Sequence, residues 1–172
     1  MQRFTLLVPS LLAVGVLVGL SAFFSSSESA IFSLSDEWID SAAGDGARDS
    51  QTLQRLREDP HRLLVTLLVG NNLVNIAITS IVTLLVARFV PPGATVVVAT
   101  LLVSVVVLVF GEIMPKSYGL GHAGSWSRRV ARPIAAIERL LGPVVAVFDL
   151  VTRWLTARIG GDQQIEKPYV DD

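Results

Sequence analysis

Residues Leu63–Val86 read LLVTLLVGNNLVNIAITSIVTLLV, a run with no charged residue and three asparagines, Asn71, Asn72 and Asn75, near its middle. The hydrocarbon core of a bilayer takes about 20 mostly apolar residues in helix, so this run reads as a transmembrane span. Upstream, Phe4–Phe24 is apolar and no charge falls between Arg3 and Glu28. It is longer than the apolar part of a signal peptide, and no small-x-small cleavage site follows it. Downstream, Arg88-Phe89-Val90-Pro91-Pro92-Gly93 leaves room only for a tight turn before Ala94–Phe110, which runs into Gly111-Glu112-Ile113-Met114-Pro115-Lys116. The expected architecture is an all-α membrane protein. Residues 1–128 form its three-helix transmembrane domain, with spans at about 4–32, 63–88 and 94–114.

The composition agrees. Apolar residues make up 51% of the chain and charged residues 17%, where a soluble domain carries about a quarter, and mean hydropathy is +0.57. A net charge of −1 gives no basic bias toward nucleic acid. The absence of cysteine excludes disulfides, thiolate metal sites and cysteine nucleophiles.

Charge placement sets an orientation. The N-terminus and the Pro-Pro-Gly turn share one side and carry Arg3 and Arg88. The opposite side carries Arg48, Arg55, Arg57 and Arg62 in the first loop, then Lys116, Arg128, Arg129, Arg132, Arg139, Arg153, Arg158 and Lys167. Positive charge concentrates on the cytoplasmic side, so the N-terminus is expected outside and the C-terminus in the cytoplasm of a cell (plasma or inner) membrane. Residues 129–159 are apolar but interrupted by Arg132, Glu138, Arg139, Asp149 and Arg153, and their longest uncharged run, Leu140–Phe148, is too short to span. With Trp154 they suit a juxtamembrane amphipathic helical belt, which Pro133 and Gly142-Pro143 are expected to break. A soluble helical hairpin, the other reading, would need a core of its own. The first loop is polar, with a short surface helix expected over Gln51–Glu58. Residues 160–172 read as a linker to a cytoplasmic module.

Polar groups inside the spans are expensive, and an ionisable one there marks a functional site by default. Ser21, Ser25, Glu28 and Ser29 share one face of span one, Asn71, Asn72 and Asn75 crowd little more than one turn of span two, and span three supplies Glu112. Pro115 has no N–H to give the carbonyl four residues earlier, so the Gly111 carbonyl is expected to be free. Oxygen donors with few formal charges suit a hard cation, though residue types alone leave Mg²⁺, Ca²⁺ and Na⁺ open. Each element also has a plainer reading. Ser21 and Ser26 suit helix-seam serines, the asparagines interhelical hydrogen bonding, Glu28 the headgroup region, and Glu112 an i,i+4 pair with Lys116.

Three segments together resemble the transmembrane domain of the CorC/CorB/cyclin-M (CNNM) magnesium transporters. They are Ser21-Ala22-Phe23-Phe24-Ser25-Ser26-Ser27-Glu28-Ser29-Ala30, Gly70-Asn71-Asn72-Leu73-Val74-Asn75 and Phe110-Gly111-Glu112-Ile113-Met114-Pro115-Lys116. The resemblance implies a homodimer, export of dehydrated Mg²⁺ coupled to Na⁺ entry, and a following cytoplasmic CBS-pair module that binds ATP. Carried over residue by residue, it points to Ser25, Ser29, Asn72, Asn75, Gly111 and Glu112 as ion ligands, then to Ser26, Glu28 and Asn71, with Pro115 and Lys116 structural. Where the family's first motif often reads Ser-Gly-Ser-Glu, this chain has Ser25-Ser26-Ser27-Glu28, which leaves open which serine ligates. Gly15 and Gly19 form a Gly-x-x-x-Gly compatible with close helix contact. A membrane Mg²⁺ sensor that regulates another transporter is the alternative reading. No enzyme activity is expected, since no His or Lys partner for a serine nucleophile lies at a suitable depth apart from Lys116.

Overall fold

The computed structural model describes residues 7–44 and 46–159, the side chains at 149, 152, 153, 156, 157 and 159 excepted. The expected linker, residues 160–172, therefore lies outside the described residues, as do Arg3, Phe4 and Lys167. Every described element is helical: α1 Leu7–Phe32, α2 Asp36–Gly44, α3 Arg48–Arg57, α4 Pro60–Val86, α5 Pro92–Val106, a π-helical segment π1 Val107–Ile113, α6 Met114–Gly121 and α7 Ala123–Ile159. Three stretches are long and apolar enough to cross a membrane: Leu7–Phe32, Pro60–Val86 and the composite Pro92–Gly121. The chain is an all-α membrane protein. Its lipid-facing surface is a broad display of exposed aliphatic side chains such as Leu11, Val16, Leu84, Val97 and Leu101, the normal outer face of a helix whose solvent is hydrocarbon.

Local chemistry sets the ends. The second span starts at Pro60, earlier than its apolar run suggests, because Asp59 caps it by accepting from the Arg62 N–H at 3.0 Å and proline suits the first helical position. The third starts at Pro92, again with proline at the first helical position but without a side-chain cap, after Val90 N–H has closed on the Val86 carbonyl at 3.0 Å.

Helix α1 is the hub, packing against α4, π1, α6 and α7. Only its C-terminal half is enclosed: Ser21, Phe24, Ser25, Ser26, Ser27, Ala30 and Ile31 are buried, while Val8, Leu11, Leu12 and Val16 are exposed. The core joins Phe24 and Ile31 to Leu63, Leu67, Val74 and Ile78 of α4, Val103 and Val107 of the third span, and Val130 and Ile134 of α7. Close approach is made possible by glycine. A Cβ at Gly70 would lie 2.6 Å from the Phe24 ring, and one at Gly119 would lie 2.3 Å from the Ser26 carbonyl oxygen.

The first loop holds two helices, and the belt is a single one. α7 runs unbroken through Pro133 and Pro143, against the expectation of breaks. The bonds these prolines cannot make belong to the carbonyls of Arg129 and Arg139, both at exposed positions where solvent or headgroups satisfy them. α7 is amphipathic, with Val130, Ala131 and Ile134 inward and Arg128, Arg129 and Arg132 outward. Ion pairs fasten the layer: Arg62 Nε to Glu138 Oε1 at 2.6 Å ties α4 to α7, Arg132 to Asp49 ties α7 to α3, and Arg57 to Asp36 at 2.7 Å ties α3 to α2.

Candidate metal centre

The polar cluster forms where three spans meet. Ser21 and Ser25, one helical turn apart on α1, have no exposed surface. From α4, Asn71 and Asn75 reach the same place, with Oδ1 atoms 3.0 Å and 2.9 Å from Ser21 Oγ. From π1 comes Gly111, where a Cβ would stand 2.8 Å from that hydroxyl. Ser21, which reads from sequence as a seam serine, is therefore the centre of the cluster. The signal available was its position one turn before Ser25 on the polar face.

The hydrogen count is short. A serine hydroxyl has one proton, and two amide oxygens approach it. One of them is left facing oxygen. Either an amide turns to present its NH₂, or a cation replaces the missing proton. Ser25 Oγ adds to the shortage, being buried with no hydrogen-bond partner among the described residues. A buried hydroxyl left unsatisfied costs about 1–3 kcal/mol. With the amides in this orientation, oxygens facing oxygens at a part-buried site are what a hard cation would satisfy.

The π segment was not expected. Here bonds run from residue i+5 back to i, as Met114 N–H to the Val109 carbonyl shows. Pro115 would be the next donor, to Phe110 in that register or to Gly111 in the α register, and it has no N–H for either. The missing proline donor therefore leaves one carbonyl without its bond, that of Phe110 in the π register or of Gly111 in the α register, next to the glycine that meets Ser21. π segments inside α-helices occur frequently at functional sites.

Other candidates stand apart. Glu112 is half-buried beside Gly111 and has no ion-pair partner among the described residues. Lys116 turns instead to Glu28 across the α1–α6 contact, Nζ to Oε2 at 3.7 Å. Ser29 is half-buried two turns from Ser21 and makes no side-chain hydrogen bond to the cluster among the described residues. Asn72 is exposed and lies in an apolar groove of about 410 Å³ with Leu73, Ile76, Leu141, Val144 and Phe148. Ser26 faces α7, where its Oγ accepts from Trp126 Nε1 at 3.1 Å and donates to the Phe23 carbonyl at 3.1 Å. The structure thus gathers Ser21, Asn71, Asn75 and Gly111, with the buried Ser25 one turn along α1 and Glu112 next to Gly111 in the chain. It does not bring Asn72 or Ser26 to them. Among the described residues no three His, Asp or Glu side chains gather, so a cation in this cluster would be held mainly by neutral oxygens.

Comparison with known proteins places this arrangement in a family. Residues 11–172 match the cyclin M transmembrane N-terminal domain. A chloroplastic DUF21 domain-containing protein of Arabidopsis thaliana is 35% identical over 94% of this chain and 24% of its own length. The UPF0053 inner membrane protein YfjD of Escherichia coli is 33% identical over 82% of this chain and 33% of its own. A UPF0053 protein of Haemophilus influenzae is 31% identical over 88% and 36%. The chain spans about a quarter to a third of these relatives. With three apolar spans meeting at a buried oxygen cluster, and with that match over nearly all its length, the chain belongs to the cyclin M (CNNM) transmembrane domain family.

Proposed function

We propose that this domain carries Mg²⁺ through the membrane, binding it dehydrated among Ser21, Ser25, Asn71, Asn75 and the π1 carbonyl that Pro115 leaves without a donor, with Glu112 supplying negative charge. The observation that carries the reading is the Ser21 hydroxyl held between two amide oxygens, one turn from a buried Ser25 hydroxyl with no hydrogen-bond partner among the described residues. Mg²⁺ surrenders water reluctantly and accepts only a compact oxygen shell, so replacing that water with fixed side-chain and backbone oxygens is a route to selectivity over larger ions. Irregular backbone at membrane depth is tolerated where it lines such a site, which fits π1.

The rest of the proposal follows. Efflux is coupled to Na⁺ entry, with Na⁺ using the same oxygens when the site opens outward, and rocking of the third span against α1 and α4 alternates access. Twelve of the fourteen Lys and Arg residues lie on the side assigned to the cytoplasm, so the N-terminus faces out and the C-terminus in. A cell or inner membrane is proposed, as the printed name of YfjD states for that relative. The functional unit is a homodimer, for which the Gly15 and Gly19 stripe offers an open face, where a Cβ added at either glycine would meet no other part of the fold within 4 Å. In longer relatives a cytoplasmic ATP-binding CBS-pair module would act on this domain.

The test is flux. Purified protein in liposomes should pass Mg²⁺ faster when a Na⁺ gradient opposes it. Flux indifferent to Na⁺ would remove the exchange mechanism. Saturable binding with no flux under any gradient would make the domain a sensor that regulates another transporter.

A further inference from the structure

Away from the spans, two rows of arginine face each other across the α3–α7 contact. On α3, Arg48, Thr52 and Arg55 stand at i, i+4 and i+7; on α7, Arg132, Ala136 and Arg139 repeat the spacing. All six line one concavity of about 400 Å³. The four arginines are exposed, and only Arg132 has a carboxylate partner, Asp49. Among the described residues Arg48, Arg55 and Arg139 have none. Like charges brought face to face on packed helices repel, and the fold keeps three unneutralised ones around a single pocket.

The pocket's depth narrows what could neutralise them. Immediately after Arg139 the exposed face of α7 turns apolar, through Leu140, Val144, Val147 and Phe148. On the neighbouring side, α3 ends at Arg57 and the second span begins at Pro60. The arginines therefore sit at the boundary between aqueous and acyl surface, on the leaflet that the Lys and Arg distribution marks as cytoplasmic. Anionic lipids enrich that leaflet, and basic pockets beside transmembrane helices on that side bind phosphate headgroups. Guanidinium groups are suited to phosphate because they bond it bidentately.

We infer that the Arg48, Arg55, Arg132 and Arg139 pocket is a binding site for the phosphate headgroup of an anionic phospholipid. It is separate from the oxygen cluster of the spans and does not depend on that cluster's function. An occupied pocket relieves the repulsion between α3 and α7 and fixes the depth of α7 in the interface.

The experiment is native mass spectrometry of the purified chain, reconstituted with equal phosphatidylglycerol and phosphatidylcholine. Retained phosphatidylglycerol should exceed phosphatidylcholine in the wild type. The preference should fall about thirtyfold in Arg55→Gln/Arg139→Gln, which removes two guanidinium groups that bond the phosphate together with their charge. It should fall clearly less in Arg128→Gln/Arg129→Gln, which removes the same charge from α7 outside the pocket and so costs diffuse attraction alone. Arg55→Lys/Arg139→Lys, which preserves charge, should keep part of the preference and guards against a folding defect in the glutamine pair. Equal losses in the two glutamine variants would reduce the effect to diffuse attraction and overturn the site. Displacement of the lipid by millimolar inorganic pyrophosphate, bound with the same variant dependence, would assign the pocket to a soluble phosphate compound instead.

Discussion

Ser21 lies nearly at the centre of the molecule's polar interior, and its substitution separates two readings of the cluster. If the oxygens are only hydrogen-bonding partners, Ser21→Ala removes a bond of about 1 kcal/mol and little else. If they hold an ion, calorimetry on Ser21→Ala should show Mg²⁺ affinity reduced at least about tenfold with the fold intact, since one lost ligand is worth about 1.4 kcal/mol or more. Asn75→Ala should behave like Ser21→Ala, and Asn72→Ala should have the smaller effect, because Asn72 is exposed in the apolar groove against α7. Equal losses at Asn72 and Asn75 would mean the functional site includes the outer face of α4. Gly111→Ala drives a methyl to within 2.8 Å of Ser21 Oγ. It should abolish binding while leaving the helical circular dichroism unchanged, and retained binding would show that Gly111 is only a packing residue. Ser26→Ala belongs to another category: it breaks the Trp126 contact and should lower stability by about 1 kcal/mol without touching affinity.

The decisive element is π1. A π segment inserts one residue into an α-helix and is tolerated only where local chemistry holds it. Pro115 is that chemistry here, since it withholds the N–H that would restore the α register at Gly111. Pro115→Ala returns the donor. The variant should melt at a higher temperature and bind Mg²⁺ more weakly, because the third span can then close its ladder over the carbonyl that Pro115 leaves without a donor. Unchanged affinity would show that backbone oxygen from π1 takes no part. The Glu28–Lys116 contact is a different kind of feature. Both side chains are more than a third exposed, and an ion pair at that exposure is worth about 0–1 kcal/mol, so its contribution to stability is small.

At the scale of the whole molecule, the first prediction concerns sidedness, and the absence of cysteine makes it clean to measure. A single cysteine at Gly93, in the turn between the second and third spans, should react with an impermeant maleimide added outside cells. A single cysteine at Gln51 on α3 should react only after the membrane is opened. The reverse pattern would invert the assigned topology and, with it, the direction in which the oxygen cluster opens.

The fold was legible in the sequence because a bilayer permits few solutions. A charge-free run long enough to cross hydrocarbon must satisfy its backbone internally, so length and hydropathy specify three helices and where they lie. Residues 129–159 fall in one amphipathic helix, and their charges leave no run long enough to span. Their prolines did not break the helix, since both orphaned carbonyls belong to exposed residues, Arg129 and Arg139, and exposure is a fact of packing. The candidate site was only partly legible. Helical periodicity put Ser21 and Ser25 on one face and Asn71 and Asn75 on another, but which faces meet depends on the rotation of each span. The tertiary structure fixes that rotation through Phe24 seated on Gly70 and the backbone of Ser26 laid against Gly119. Those contacts turn Ser21 inward to Asn71 and Asn75 and leave Asn72 outside. They also bring up a π register that no period in the sequence announces, because its cause, a proline that has no donor to give, has its effect several residues earlier in the chain.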